Sequence, residues 1–186
     1  MHRALPILAL SVMLAVTLSC GGNSTLNDTE AVVFLTADVT QYQPDINIAV
    51  PVDVTIDSMT IQSHPKNPDD TLSDNQDVNL ERWVITPERI DGGTTASPQW
   101  QINQHVYVPA GGTANLENYR VFPAEYFHQP PLVNLFPQNG GADPETGRSN
   151  IRQSLKIEIY GTTVSGKSVK CGPFNVSYNF FYSAVQ

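Results

Sequence analysis

The sequence predicts an all-β domain, a single antiparallel sandwich. Three observations predict it. Apolar residues recur at every second position in several separate segments, which is the pattern of strands with one buried face. Gly, Pro, Asn and Asp punctuate the gaps between those segments. No window of the mature chain holds a convincing helical period. The strongest β signal is 155–182, LKIEIYGTTVSGKSVKCGPFNVSYNFFY. Leu155, Ile157 and Ile159 alternate with polar residues, and after a turn Phe174, Val176, Tyr178, Phe180 and Tyr182 do the same, so the segment reads as the central hairpin.

The other strands follow in order. Residues 30–39 (EAVVFLTADV) form a buried first strand. Residues 46–61 alternate at Ile46, Ile48, Val50, Val52, Val54 and Ile56. Met59 and Ile61 then take the opposite parity, so a bulge at Asp57-Ser58 must reset the face. Pro51 implies an edge or a break, because it cannot donate to a ladder. Residues 78–86 and 100–108 are further strands, 119–122 a short one, and 110–118 a Gly-rich turn region. The closing hairpin resembles the last two strands of immunoglobulin-like sandwiches. The inter-sheet Cys pair and core Trp of antibody domains cannot both be placed, so the resemblance stops at the class.

The N-terminus reads as an address. Met1-His2-Arg3 is a short positive start, residues 5–18 are uncharged and apolar, and Ser19 stands before Cys20. The run is too short for a spanning helix and fits a signal peptide. Thr17-Leu18-Ser19-Cys20 resembles the lipobox of bacterial lipoproteins, with Thr17 where Leu is usual. That resemblance implies cleavage before Cys20, diacylation of Cys20 with palmitate-type chains, and a membrane partner through the lipid. Gly21 stands where an Asp would retain the anchor in the inner membrane, which implies the outer membrane in a cell that has one. The alternative is an ordinary secreted protein with Cys20 near its cleavage site. The expected organisation is therefore a signal peptide at 1–19, lipidated Cys20 and a polar tether through residue 29, and one β-sandwich domain at 30–186. The nine tether residues after Cys20 span roughly 15–18 Å as a coil.

Charge divides the mature chain. Residues 28–91 hold 13 acids against Lys66, Arg82 and Arg89, a net −10, whereas residues 92–186 hold five acids against six bases. An acidic front half repels nucleic acid and anionic headgroups and favours cations or a basic protein surface. Plain solubility is the other reading.

Four constellations could carry chemistry. The loop 63–77 offers Asp69, Asp70, Asp74, Asn75 and Asp77, oxygen donors of the kind Ca²⁺ takes, but their spacing is not that of a Ca²⁺ loop, and a solvated acidic loop is the plainer reading. Tyr119, Tyr126, Phe127, His128 and Phe136 lie in or beside a long loop, where they form either a ligand or partner surface or a lid of satellite core. Gly161 to Ser168 matches G-x-x-x-x-G-K-[ST], so Gly161, Gly166, Lys167 and Ser168 invite a phosphate-loop reading. That loop needs a following helix, and Gly172-Pro173 inside a period-two run forbids one, so no nucleotide is expected and both glycines are assigned to a hairpin turn. His64, His105 and His128 are dispersed, G-x-S-x-G is absent, and Glu125 near His128 is a weak pair. Cys171 shares parity with Val169 and reads as a buried thiol. The expectation is a non-catalytic, lipid-anchored accessory or interaction subunit of a cell-envelope assembly with a protein partner. The alternative is a Ca²⁺- or carbohydrate-binding module, and an enzyme ranks third.

Overall fold

The computed structural model describes residues 30–184, so the expected signal peptide at 1–19, Cys20 and the expected tether lie outside the described residues. Eight strands build the domain: β1 (Val33–Tyr42), β2 (Asp45–Asn47), β3 (Val54–Pro65), β4 (Val78–Arg89), β5 (Trp100–Val108), β6 (Thr113–Phe122), β7 (Asn150–Thr163) and β8 (Ser168–Phe181). They hydrogen-bond in the order β5-β4-β7-β8-β1-β3-β6, with β2 alongside β8. Every pairing is antiparallel except β1 and β2 against β8. The contact between β1 and β8 is one pair, Leu35 opposite Cys171. This thin seam lets the sheet fold on itself, β5-β4-β7-β8 over β1-β3-β6, which is the immunoglobulin-like layering.

Side-chain contacts fix the two layers face to face. Trp83 on β4 stacks on Tyr119 of β6 with ring centroids 3.9 Å apart. Phe122 of β6 meets Phe180 of β8 at 5.1 Å. Trp83 is fully buried between the layers, and Cys171 is a free thiol. Met59, Ile61, Ile157 and Ile159 fill the space between the sheets.

Parity changes explain the strand pattern. The buried positions of β3 switch from Val54 and Ile56 to Met59 and Ile61, so the reset at Asp57-Ser58 occurs where the alternation demanded it. β6 switches at the same level: Asn118 takes φ 51°, a left-handed conformation that Asn tolerates, and Tyr119 pairs with Ile56. That switch hid the start of β6, which begins at Thr113 rather than at Tyr119. In β8 two residues, Gly172 and Pro173, oppose Glu158 between the pairs Ile157–Phe174 and Ile159–Cys171. A bulge is where an inner strand accepts proline.

Two further expectations need correction. The run 46–61 is not one strand: β2 ends at Asn47, β3 starts at Val54, and Val50 and Val52 are 41% and 63% exposed. Pro51 interrupts the ladder there. Gly161 is not a turn residue. It lies within β7 opposite Leu80, where a Cβ would come within 2.1 Å of the Asn79 carbonyl oxygen.

Candidate functional site

The long connection 123–149 caps one end of the sandwich with short 3-10 turns at Ala124–His128, Leu132–Leu135 and Pro137–Asn139. Tyr119, Phe127 and Phe136 are buried, so this part of the expected aromatic surface is core. The reason is that Phe127 has Phe122 and Phe180 to pack on, with centroids 6.0 and 6.3 Å away. Tyr126 is half-buried against Phe122, and exposed His128 stacks on Phe136 at 5.2 Å.

The acidic loop disperses its carboxylates. Asp69 and Asp70 sit in a turn with Asn67, whose side chain donates to Asp70 at 3.0 Å. Asp74 opens a 3-10 turn through Gln76. Asp77 accepts from the Tyr107 hydroxyl and, at 2.8 Å, from the Ala110 amide, and those bonds hold its carboxyl below the usual range. Among the described residues no three His, Cys, Asp or Glu side chains gather where they could hold a metal ion.

The apparent phosphate loop has its amides engaged. Thr163 donates to Lys167, Val164 to Asp77, Ser165 to Asn75 and Gly166 to Thr163, all to backbone carbonyls at 2.8–3.0 Å. The Lys167 amide donates to the Thr163 hydroxyl at 3.0 Å, and its ammonium lies 3.5 Å from Glu30. β8 follows directly, so no helix dipole faces the loop. This is a tight hairpin turn in which Gly166 supplies a φ of 80°.

A polar clamp that sequence reasoning missed ties the ends of β4 and β7. Arg89 donates to Asp91 at 2.7 Å and to Asp143 at 2.8 Å, and all three side chains are almost fully buried. Asp91 also accepts from the Arg152 amide, and Asp143 from Thr146. Burial pushes both carboxyls up, but the Arg89 hydrogen bonds and charge, with these amides, bring them below their ordinary value. Beside the clamp, Glu145 accepts from Thr94 and Thr95, and its carboxyl falls to about 2. Only the spacing Arg89-x-Asp91-Gly92-Gly93 hinted at the cluster.

A slot of about 320 Å³ opens between β2 and β3. It exists because the chain changes layers: β1 pairs with β3 only as far as Tyr42–Ile56, and β2 then joins β8 at Asn179–Phe181. Ile46, Val50 and Val52 line the gap, and Asp45, Asp53 and Asp57 line it with carboxylates. Asp53 is positioned by Arg120 at 2.8 Å and by the Ala124 amide at 2.8 Å. The slot lies at the end of β8 away from the chain entry, where the Ala31 amide donates to Ser168. A second, shallower depression of about 490 Å³ sits on the outer face of the β5-β4-β7-β8 layer, beside Glu81, Asn103 and Tyr160. The Tyr160 ring there has Arg82 at 4.6 Å and Lys170 at 5.5 Å.

The three histidines among the described residues stand apart in separate contacts. His64 bonds Thr36, His105 bonds Asn79, and His128 is on the cap. No family model matches the chain, and no curated protein matches it.

Proposed function

We propose that this protein is a non-catalytic interaction subunit of a cell-envelope assembly, tethered to a membrane by lipid on Cys20. The observation that carries the reading is the slot. It combines exposed Val50 and Val52 with three carboxylates, at the end of the sandwich opposite to where the chain enters. β1 alone spans ten residues, roughly 33 Å of separation between entry and slot. A membrane anchor at the entry end leaves the slot pointing away from the bilayer. Exposed apolar side chains rimmed by charge favour a protein surface, and the sign of the rim favours a basic one. Gly21 favours the outer membrane as the site of the anchor.

Two measurements test this reading. Radioactive palmitate should label the wild-type chain and not Cys20→Ala. Cross-linking in the native cell, followed by purification from detergent-solubilised membranes, should recover a stoichiometric envelope protein. Recovery of the chain alone contradicts the reading. It then favours the alternative of a Ca²⁺- or carbohydrate-binding module, for which a rise in melting temperature with millimolar Ca²⁺ tests the metal version.

A further inference from the structure

We infer that the slot takes one arginine side chain of the partner protein, presented on an apolar turn, with Asp57 as its principal anchor and Asp45 beside it. The inference rests on the interaction reading above and specifies its chemistry. The three carboxylates of the slot are not equivalent. Asp53 is engaged on both oxygens, by Arg120 Nε at 2.8 Å and by the Ala124 amide at 2.8 Å. Asp45 accepts from the Asn179 side chain on one oxygen, at 2.8 Å. Asp57 is half-buried and has no hydrogen bond or ion pair among the described residues. The backbone also singles Asp57 out. β1 steps from Gln41–Ser58 to Tyr42–Ile56, and β6 from Glu117–Ser58 to Tyr119–Ile56, so Asp57 has no ladder partner on either side. An irregularity of this kind re-aims the side chain it carries. A carboxylate partly withdrawn from water is best stabilised by a charged donor.

The walls of the slot decide what carries that charge. Ile46, Val50, Val52 and Val54 line it, and Val50 and Val52 are 41% and 63% exposed. A compact cation gains nothing from such a lining. Arginine packs its methylene stem on aliphatic surface and turns a fork of five N–H donors toward carboxylates. The fork can serve two carboxylates at once, and Asp57 and Asp45 line the same slot. Arginine is also among the residues enriched as buried anchors of protein interfaces. Three carboxylates against the one guanidinium of Arg120 leave the rim at −2, so an incoming cation is complementary. A volume of about 320 Å³ is at the low end for a small-molecule pocket (roughly 300–1,000 Å³) and suits one long side chain with its apolar neighbours.

The test titrates acetyl-Val-Gly-Arg-Gly-Val-amide, whose glycines disfavour a strand, into the isotope-labelled full chain in detergent and follows the amide chemical shifts. Binding should saturate in the millimolar range, with the shifts centred on residues 43–57. The same peptide with citrulline for arginine keeps the shape and loses the charge, and it should bind at least about fivefold more weakly. Asp57→Asn should weaken the arginine peptide by about fivefold while its melting temperature falls by no more than about 2 °C, because Asp57 has no bond in the fold to lose. Asp38→Asn, at an exposed carboxylate of β1 outside the slot, should bind as the wild type does. The inference is overturned by no saturation at about 10 mM peptide, by equal binding of the citrulline peptide, by shifts centred elsewhere, or by equal losses at Asp38 and Asp57. A larger fall in the melting temperature of Asp57→Asn makes Asp57 a residue of the fold and also overturns it. Failure here and failure of the interaction reading are separable. If a partner co-purifies equally with the Asp57→Asn chain, the arginine anchor falls and the interaction reading stands. If the peptide binds as described but no partner co-purifies, the reverse holds.

Discussion

Replacing Arg89 by Met should be among the most damaging single changes in this domain, and the damage should depend on pH. Arg89 and its partners Asp91 and Asp143 are 1–2% exposed at their side chains, so the substitution leaves two carboxylates buried together without a counter-charge. Breaking a buried ion pair from one side costs about 3–5 kcal/mol. At roughly 2–4 °C per kcal/mol for a domain of this size, the melting temperature should fall by about 6–20 °C at pH 7. In the wild type both carboxyls titrate below their ordinary value. Their contribution is therefore present above the unfolded pKa of about 3.9 and is lost as pH falls through the depressed folded values. In the variant the sign reverses. Burial, the largest single influence on both carboxyls, then outweighs the remaining bonds from Arg152, Gly93 and Thr146, so the folded pKa rises and stability is lost as pH climbs above the unfolded value. The gap between the two proteins should be widest at pH 7 and narrow toward pH 3. Urea and thermal unfolding followed by circular dichroism at both pH values measure it. A loss under about 1 kcal/mol at pH 7, or a gap that does not change with pH, refutes the reasoning.

Other perturbations have definite expected outcomes. Tyr119→Phe should cost less than about 0.5 kcal/mol or stabilise, because the Tyr119 hydroxyl is buried with no hydrogen-bond partner among the described residues; a urea midpoint falling by the equivalent of a normal hydrogen bond contradicts this. Gly161→Ala should destabilise by about 1–3 kcal/mol, since its Cβ would press on the β4 backbone, and an unchanged melting curve refutes the close approach. Burial pushes the Cys171 thiol up to about 12, so it should resist a thiol reagent at pH 8 until the chain is unfolded in denaturant. ATP with Mg²⁺ should leave the melting temperature unchanged, because the hairpin amides from Thr163 to Lys167 already donate within the protein.

What could be read from the sequence was whatever strands repeat locally. The closing hairpin and the parity reset at Asp57-Ser58 follow from alternation alone, because a strand with one wet face must alternate. The true length of β6 did not, because Asn118 flips the parity in mid-strand and splits the pattern into two short pieces. Val50 and Val52 continue the alternation of Ile46 and Ile48, yet they lie in a loop: periodicity cannot show that a chain crosses between layers. The slot is a product of that crossing and so left little local signal beyond Pro51. The Arg89 clamp depends on Asp143, 54 positions away, and distant pairings of this kind are set by topology. The aromatic loop showed its composition but not its direction, and the open end of the sandwich drew Phe127 and Phe136 inward.

The most direct test of the interaction account is photo-cross-linking in the native cell from position 52, the most exposed valine of the slot. A photoreactive side chain there should yield one dominant adduct with an envelope protein. That adduct should be absent when the same group is placed at Glu117 on the far edge strand β6 and should fall when Asp45 and Asp57 are both reversed to Lys. Adducts of equal yield and identity from both positions, or none from position 52, contradict the account.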